Sequence, residues 1–401
     1  MSKIFPLWLS AACLFVFSSC IRDEALNAEC DITGVDSGWL EQHKDVLIGN
    51  PIISNEAVTF TVKRGTDRTA FDPKFTLTEG AWLTMSLGDG QLIDANGQMR
   101  DFTTPQTYTT HSQDGQWTKD YTVSFYSTNQ LRLLSFEHFG LDASGKYYEW
   151  YEVDDEDVDN PRRNYWATGN GGYNLTGMAH SPSDYPTASD VSGVRGNCVK
   201  LITRDTGSFG MSLATKMPIA AGNLFIGEFR VGQAALFPLQ ATRFGLQLVN
   251  HRPVALEGFY KYQAGSVYTD ENKNVCPELH DSADIYAVVY EVDADKFVPL
   301  NGADVLSSDR LVAVARIDKP VEVTGDIARA SWTRFSEPFV LLNGKEFDEQ
   351  RLGTNGYAIA VVVTSSRQGN YFRGAVGSTL YVDELRVRWE GEADDGDITA
   401  Q

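Results

Sequence analysis

The residues best suited to chemistry lie between positions 164 and 185, where aromatic side chains are interleaved with glycines and asparagines. This run has neither helical nor strand periodicity, and its composition favours a loop. Flat rings stack on the apolar faces of pyranose sugars, and side-chain amides bond to sugar hydroxyls. We therefore take Trp166 and Tyr173 as candidate stacking residues and Asn170 as a candidate hydroxyl-bonding residue. The alternative is that these aromatics close one end of a β-sandwich core.

A second pair of candidate rings, Tyr260 and Tyr262, alternates with Lys261. Residues two apart on a β-strand share a face, so both tyrosines point the same way. We expect that face to be the concave, ligand-binding side of a sheet, and packing in the core is the alternative. Residues 371–373 follow a Gly-Asn pair on a predicted loop and would rim the same site.

Hydrolysis of a glycosidic bond needs two facing carboxyl groups, about 5 Å apart in retaining and about 6.5–9.5 Å apart in inverting enzymes. Isolated acids in an acidic protein are usually solvated, and the sequence shows no two of them converging. The six histidines lack metal-pair spacing, and no serine lies in a nucleophile-elbow motif. Catalysis is therefore the weaker interpretation. The candidate acids are Glu149, Glu228, Glu257, Asp284 and Glu291.

Glu137 and Asp383 are candidate ligands for a structural calcium ion, because they fall on the predicted first and last strands of the second domain. Calcium binds several oxygens, so backbone carbonyls would have to complete the site. The alternative is that each carboxylate bonds to backbone or to a lysine. The acidic run at 154–159 is interpreted as a solvated loop, with a calcium loop as its alternative.

The elements that must position these residues are mostly strands. Residues 30–128 alternate with period two at 58–62 and again at 121–125, and Gly-containing turn signals separate these runs. This pattern predicts a small immunoglobulin-like β-sandwich. Because it contains no cluster of catalytic residue types, we interpret it as a spacer.

Residues 130–390 contain a long series of further strand candidates and almost no helical periodicity. So many strands in one unit favour a jelly roll, in which two sheets curve to leave one concave face. The predicted class is therefore all-β, an immunoglobulin-like sandwich followed by a larger jelly-roll sandwich. The tail, residues 391–401, is acidic and is predicted to be disordered.

The formal net charge of the 401 residues is -20, and the pI is near 4.7. So acidic a protein repels polyanions. We therefore exclude nucleic acid and anionic lipid headgroups as partners.

Residues 1–19 are predicted to be a lipoprotein signal peptide. Lys3 precedes an apolar stretch, residues 4–17, that is too short to span a membrane comfortably. The stretch runs into Ser18-Ser19-Cys20, which resembles the lipobox of bacterial lipoproteins, so Cys20 is the predicted lipidation site. The acidic residues that follow resemble the surface-export signal of Bacteroidetes lipoproteins. We expect a lipid anchor in the outer membrane at the cell surface; an ordinary cleaved signal is the alternative.

Three cysteines remain beyond Cys20, namely Cys30, Cys198 and Cys276. Their spacing matches no zinc motif. One disulfide among them is compatible with export, but the sequence does not choose the pair.

Residues 131–390 resemble the putative carbohydrate metabolism domain of Bacteroidetes surface proteins. Within residues 30–128, the run at 101–123 resembles the Ig-like repeats of surface lipoproteins from the same phylum. The larger resemblance implies a jelly roll similar to carbohydrate-binding modules or glycanase sandwiches, and it transfers no catalytic residues. It rests on segments in the family's order at 165–173, 185–187, 196–203, 219–227, 243–245, 258–262, 284–291, 365–369 and 374–385.

Together these features predict a surface lipoprotein that captures polysaccharide or oligosaccharide through its jelly roll, alongside other surface glycan-uptake proteins. Two alternatives stay open, a glycoside hydrolase on the same fold and a surface or adhesin subunit whose aromatics are structural. Exposed rings on a concave face would favour binding, and two facing acids would favour hydrolysis. A flat apolar patch would favour a protein partner.

Overall fold

The computed structural model describes residues 26–47, 49–63, 66–86, 92–127, 133–154, 157–163, 165–293, 297–342 and 344–391. The predicted signal peptide, the lipidation site Cys20 and the acidic tail beyond residue 391 lie outside the described residues. None of the helices within these ranges has both the length and the apolar character needed to cross a membrane.

The first unit is built from short strands and one short helix near its start. The strands are β1 (Ile32–Val35), β2 (Ile52–Ile53), β3 (Ala57–Val62), β4 (Phe75–Leu77), β5 (Trp82–Ser86), β6 (Leu92–Asp94), β7 (Gln106–His111) and β8 (Thr118–Ser127), with helix α1 (Ser37–His43).

These strands form two layers around an aromatic core. A six-stranded sheet has the order β2-β3-β8-β7-β5-β6, and β1 pairs with β4 in the second layer. Strands β3 and β8 run parallel, whereas β7 pairs antiparallel with both β5 and β8. Alternate residues of β3, such as Val58 and Phe60, face the core, where Phe60 stacks on Phe125 with ring centroids 4.3 Å apart. The predicted period-two alternation therefore holds here.

The second unit contains the remaining elements. Its strands are β9 (Leu133–Leu134), β10 (Phe139–Leu141), β11 (Tyr148–Trp150), β12 (Glu152–Asp154), β13 (Asp157–Arg162), β14 (Trp166–Ala167), β15 (Thr187–Asp190), β16 (Cys198–Ile202), β17 (Arg204–Asp205), β18 (Ile219–Ala220), β19 (Asn223–Phe229), β20 (Thr242–Phe244), β21 (Gln247–Val249), β22 (Pro253–Gln263), β23 (Tyr268–Thr269), β24 (Asp284–Glu291), β25 (Leu300–Asn301), β26 (Leu311–Arg316), β27 (Thr333–Pro338), β28 (Val340–Leu341), β29 (Tyr357–Thr364), β30 (Gly374–Ala375) and β31 (Thr379–Trp389). Its helices are α2 (Asn170–Asn174), α3 (Gly207–Ser212), α4 (Val231–Ala234), α5 (Pro238–Ala241) and α6 (Glu349–Gly353).

Two large sheets face each other in this unit. The nine-stranded sheet has the order β25-β20-β19-β29-β24-β26-β28, with β14 and β21 paired to β19 and β29. The six-stranded sheet has the order β15-β16-β31-β22-β27, with β9 paired to β31. Both sheets bury apolar residues between them, which makes the unit a β-sandwich and confirms the all-β prediction.

The nine-stranded sheet is apolar on both faces. Along β24, Ile285 and Val289 point into the sandwich core, and the intervening Tyr286 and Tyr290 belong to a separate apolar cluster on the outer face. A strand buried on both faces loses the polar alternation of a solvent-facing strand. Something must therefore cover the outer face, and short helices and loops do so.

The cysteines carry no cross-link. Cys30 and Cys198 are buried thiols and Cys276 is partly exposed, and all three are free. The structure thus contains no disulfide among these three cysteines, although the sequence was compatible with one.

Candidate functional site

A pocket of about 220 Å³ lies on the outer face of the nine-stranded sheet. Its floor consists of sheet residues that include Phe225, Phe244 and Tyr286. Its walls come from helices α2 to α5, the loop after β25, and residues 366–372. A pocket walled on its sides accepts the end or a branch of a chain more readily than the middle of a polymer.

Aromatic rings from separate elements converge on this pocket. Tyr173 comes from α2, Phe209 from α3, Phe229 from the end of β19, and Phe372 from the loop before β30. Phe372 has a φ of 58°, a left-handed conformation that bulky residues rarely adopt. Such strain persists only where the surroundings enforce it, and it is frequent at ligand sites.

A buried carboxylate holds the Phe372 loop in place. Asp281 accepts hydrogen bonds from the Ser366 hydroxyl at 2.6 Å, the Ser378 hydroxyl at 2.7 Å and the Ala375 backbone N–H at 2.8 Å. Burial raises the pKa of Asp281, and these three donors oppose the rise. Because the bonds tie both ends of the loop to one group, they position Phe372 over the pocket.

The carboxylate of Asp284, beside the pocket, is neutralised within the protein. Asp284 is 2 % exposed and accepts two bonds from Arg316, at 2.8 and 2.7 Å, while Arg367 lies 3.6 Å away. Burial raises the pKa of Asp284 above its usual value, and the Arg316 pair opposes the rise. The bidentate pair neutralises Asp284, and Arg367 leaves one positive charge beside the pocket.

The polar side chains in the wall also have protein partners. Asn223 accepts from the Gly169 N–H at 2.9 Å and donates to the Ala221 carbonyl at 3.1 Å. Thr206 donates to the Met217 carbonyl. The pocket therefore presents mainly apolar and aromatic surface, with amides such as that of Asn370 at its edge.

Residues 165–185 contain regular secondary structure and not only a loop. Some of their side chains line the pocket, and others line a second concavity. Residues 170–174 form helix α2, which the glycine-rich sequence did not predict. Tyr173 is 5 % exposed, lines the pocket, and donates its hydroxyl to the Asp205 carbonyl at 3.2 Å. Of the five predicted ligand residues, Tyr173 therefore lies where a ligand could reach it.

Trp166 and Asn170 are structural, which corrects the prediction for both. Trp166 lies in the sandwich core, and its indole N–H donates to Glu152 Oε1 at 2.6 Å. Asn170 is fully buried, where its amide donates to the Thr187 carbonyl at 2.8 Å and accepts from the Thr187 N–H at 3.1 Å. Neither side chain has a free face or a free amide for a sugar.

Tyr260 and Tyr262 share a face as predicted, but that face is the sandwich core. They are 3 % and 1 % exposed, and they lie on β22 in the six-stranded sheet. The hydroxyl of Tyr260 accepts from the Val321 N–H at 2.9 Å. Packing in the core, the alternative that the sequence left open for these tyrosines, is therefore correct, because the nine-stranded sheet covers both rings.

Glu137 and Asp383 bind backbone donors rather than offering an oxygen cage. Glu137 accepts from the Asn197 N–H at 2.9 Å and from its side-chain amide at 2.8 Å. Asp383 accepts from the Val194 N–H at 2.6 Å and the Glu384 N–H at 2.8 Å. Among the described residues no three or more His, Cys, Asp or Glu side chains are grouped to hold a metal ion. Both carboxylates therefore bond to donors of the protein itself, which is the alternative to calcium binding that the sequence left open.

A second concavity, of about 180 Å³, lies between the two units and is called the interunit cleft. Residues 54–56 line it from the first unit, and Tyr147, Glu149 and Glu228 line it from the second. The Asn55 N–H donates to Glu228 Oε1 at 2.9 Å across the boundary. Binding sites often form at such boundaries.

The cleft brings together two of the five candidate acids. Glu228 is held by Arg243 at 2.8 Å and Arg230 at 3.3 Å. Glu149 is exposed overall, but its carboxyl group is partly shielded from water in the cleft. This desolvation raises the pKa of Glu149, and the negative charge of nearby Asp142 raises it further. The other three are paired elsewhere: Glu257 with Arg388, Asp284 with Arg316, and Glu291 with Lys345.

Residues 371–373 were predicted to rim the site of Tyr260 and Tyr262, whereas Phe372 lines the pocket on the other sheet. No pattern in the sequence pointed to Phe209 or Phe229. Phe209 lies in a helix of six residues, which is too short to show helical periodicity. Phe229 is the last residue of a strand whose apolar sequence predicts burial in the core. Only the packing of distant segments reveals their roles.

The chain matches known proteins over most of its length. The family model described as putative carbohydrate metabolism domain matches residues 135–388, and the model described as SGBP, N-terminal matches residues 45–125. No curated protein sequence matches the chain.

Two solved structures resemble it closely. One, from Bacteroides thetaiotaomicron VPI-5482 and described as a putative glycoside hydrolase, is 40% identical, with 92% of this chain and 100% of that chain covered and a TM-score of 0.73. The other, from Bacteroides vulgatus ATCC 8482 and described in the same words, is 36% identical, with 65% and 98% covered and a TM-score of 0.57. The sandwich fold, the matched family model and these relatives together show that the chain belongs to the putative carbohydrate metabolism domain family.

Proposed function

We propose that this protein binds carbohydrate in the pocket on the outer face of its nine-stranded sheet. The observation that carries the proposal is the convergence of Tyr173, Phe209 and Phe372 on one pocket of a carbohydrate-related domain. Rings of this kind stack on the apolar face of a pyranose. The predicted lipid anchor at Cys20 would hold this pocket at the outer face of the outer membrane, where polysaccharide is captured for uptake with other surface proteins.

The lining indicates which sugars to test. Since the polar groups of the wall already have protein partners, a sugar that needs many hydrogen bonds gains little here. Sugars with apolar substituents, such as 6-deoxyhexoses or O-acetylated residues, match an aromatic wall better. The side walls favour a terminal or branch unit. Rhamnose-rich, fucosylated and acetylated polysaccharides therefore belong in the screen beside galactans, glucans and mannans.

Phe209→Ala should weaken retention on whichever polysaccharide the full chain binds by roughly tenfold, because the loss of one stacking ring costs about 1.4 kcal/mol. Affinity electrophoresis in gels that contain each polymer measures this. Phe237→Ala is the control, since Phe237 directly precedes α5, another of the covering helices, but is 60% exposed and does not line the pocket. Equal retention by both variants, with native thermal stability, would refute the pocket as the glycan site.

A second candidate function is glycoside hydrolysis in the interunit cleft, and the environments of Glu149 and Glu228 favour it. A carboxyl group with a raised pKa can stay protonated and donate to the leaving oxygen. Glu228, which Arg243 and Arg230 hold in place, would be the second carboxyl group that hydrolysis needs. The two relatives described as putative glycoside hydrolases make this candidate worth testing.

For this candidate, Glu149→Gln should lower the release of reducing ends from the bound polysaccharide by about a hundredfold or more, because it removes the acid. Retention in the affinity gels should be unchanged. Glu291→Gln is the control, since Glu291 pairs with Lys345 away from the cleft. If the unmodified chain releases no reducing ends from any polymer that it binds, the hydrolase candidate is eliminated.

A further inference from the structure

An exposed aromatic pair lies on the first unit, far along the chain from the pocket. Trp82 is 50% exposed, and its ring stacks on that of His111 with centroids 3.9 Å apart and planes 11° apart. Single exposed aromatic side chains are common on protein surfaces, so the informative feature is the stacked pair and not the exposure of Trp82. His111 covers one face of the indole, which leaves its remaining surface towards solvent.

The pair is held rigidly by the sheet. Trp82 on β5 lies directly opposite His111 on β7, and His111 lies opposite Thr118 on β8. Cross-strand partners share a face, so all three are on the outer face of the six-stranded sheet. The ring of His111 is further fixed because its Nε2 lies 2.7 Å from the Thr84 hydroxyl. A platform so restrained loses little entropy when a ligand stacks on it.

A row of polar side chains crosses the same face next to the platform. Asp94, Thr84, Thr109 and Asp120 are successive cross-strand partners on β6, β5, β7 and β8. Thr109 donates to Asp120 at 2.7 Å, which orients that carboxylate. The two rows are two residues apart along the strands, or about 7 Å. The hydroxyls of Thr84 and Thr109 are already bonded to His111 and Asp120. The exposed carboxylate of Asp94 is therefore the group of this row within reach of a ring stacked on Trp82.

Only part of this outer face is covered. Thr59 and Thr61 of β3 lie on the same face and line a small concavity against the second unit. The part that carries Trp82 and Asp94, on β5 and β6, lies at the other edge of the sheet and faces solvent. Nothing in the described residues covers the platform.

From this geometry we infer that the Trp82–His111 platform is a second carbohydrate-binding site, which stacks on a pyranose and bonds its hydroxyls through Asp94 of the adjacent row. Carboxylates are strong acceptors for sugar hydroxyls. They oppose an anionic lipid surface, and a Thr–Asp surround is too polar for a dry protein interface. The inference rests on the proposed function, because it assigns the first unit a share in binding the same polymers.

Two sites on one chain would act together on a long glycan. A single stacking platform binds weakly, but a polymer already held in the pocket presents its other residues at high local concentration. The platform would therefore contribute most to polysaccharides and little to short fragments. The first unit would then be a binding module as well as a spacer.

The test uses the full chain, with Trp82→Ala compared with Trp117→Ala. Trp117 is the control because it is also largely exposed, at 61%, but does not belong to the platform. Its backbone carbonyl accepts from the N–H of Ser112, a residue whose side chain faces the core. In affinity gels that contain xyloglucan, galactomannan, pectic galactan, rhamnogalacturonan or arabinogalactan, Trp82→Ala should lower retention roughly fivefold on at least one polymer. Trp117→Ala should behave as the unmodified chain.

A direct readout separates this inference from the pocket. In the chain labelled with 5-fluorotryptophan, the ¹⁹F resonance that disappears in Trp82→Phe should shift when the retained polysaccharide, cut to oligosaccharides, is added. The shift should persist in Phe209→Ala, in which the pocket is impaired. A Trp82 resonance that does not move with any of the five polymers overturns the platform. If Phe209→Ala still lowers retention in that case, the pocket is the one supported glycan site. If the Trp82 resonance shifts but Phe209→Ala has no effect on retention, the platform is supported and the pocket is rejected.

Discussion

Trp166→Ala is expected to lower the free energy of unfolding by about 3–5 kcal/mol, the usual cost of removing a large aromatic side chain from a packed core. Trp166 is 6 % exposed and contacts Phe136, with ring centroids 5.4 Å apart. The substitution opens a cavity and also leaves buried Glu152 without its indole donor. Urea denaturation followed by circular dichroism measures the loss.

Two further variants show which part of Trp166 matters. Trp166→Phe keeps a ring but removes the N–H donor, so its loss should be about 1–3 kcal/mol, the cost of one unsatisfied buried partner. Trp117→Ala, at an exposed tryptophan, should change stability by less than about 0.5 kcal/mol. A Trp166→Ala chain with native stability but no glycan retention would contradict the core assignment and restore Trp166 as a ligand residue.

The second large effect is a loss of stability as pH rises, which arises from Glu152. Glu152 is 4 % exposed, and burial raises its pKa to about 7 despite the Trp166 bond and nearby Arg162. In the unfolded chain the pKa of this glutamate is 4.5. Between these two values the folded state keeps a proton that the unfolded state has released. Stability from this group is therefore complete below pH 4.5 and is lost as pH rises towards 7.

The expected magnitude is roughly 2 kcal/mol less stability at pH 8 than at pH 5 from Glu152 alone. Burial likewise raises the pKa of Asp383 to about 7, so a second loss of the same sign should occur. Urea denaturation at both pH values measures the sum.

Glu152→Gln isolates the first contribution. The glutamine can still accept the bond from Trp166 but does not titrate, so this variant should lose roughly 2 kcal/mol less than the unmodified chain between pH 5 and pH 8. Asp383→Asn tests the other group in the same way. If Glu152→Gln retains the full pH dependence, Glu152 is ionised in the folded protein and the reasoning from burial is wrong.

The binding pocket depends on segments that are far apart in sequence. Its rings come from residues 173, 209, 229 and 372, and its floor comes from β19, β20, β24 and β29. A change in the Asp281 hydrogen bonds would act on the pocket through the loop that carries Phe372. The pocket is thus a product of the jelly-roll topology, not of one motif.

Local patterns were sufficient for the elements and for part of the site. Period-two alternation predicted β3 and β8, and the spacing of two correctly placed Tyr260 and Tyr262 on one face. The Gly369-Asn370 pair predicted a loop at residues 371–373, and Phe372 of this segment lines the pocket. Such inferences succeed because the direction of a side chain relative to its neighbours is a local property of the backbone.

The sequence by itself therefore determined the all-β class, the two-unit order and the resemblance to a carbohydrate-related family. Only the tertiary structure decided that Trp166 and Tyr260 are core, that Phe209 lines the pocket, and that Glu149 and Glu228 line the same cleft. The reason is physical. Alternation fixes which residues share a face, but what covers that face depends on contacts with strands and helices from elsewhere in the chain. Burial, the raised pKa of Glu152 and the shape of the pocket all arise from those long-range contacts.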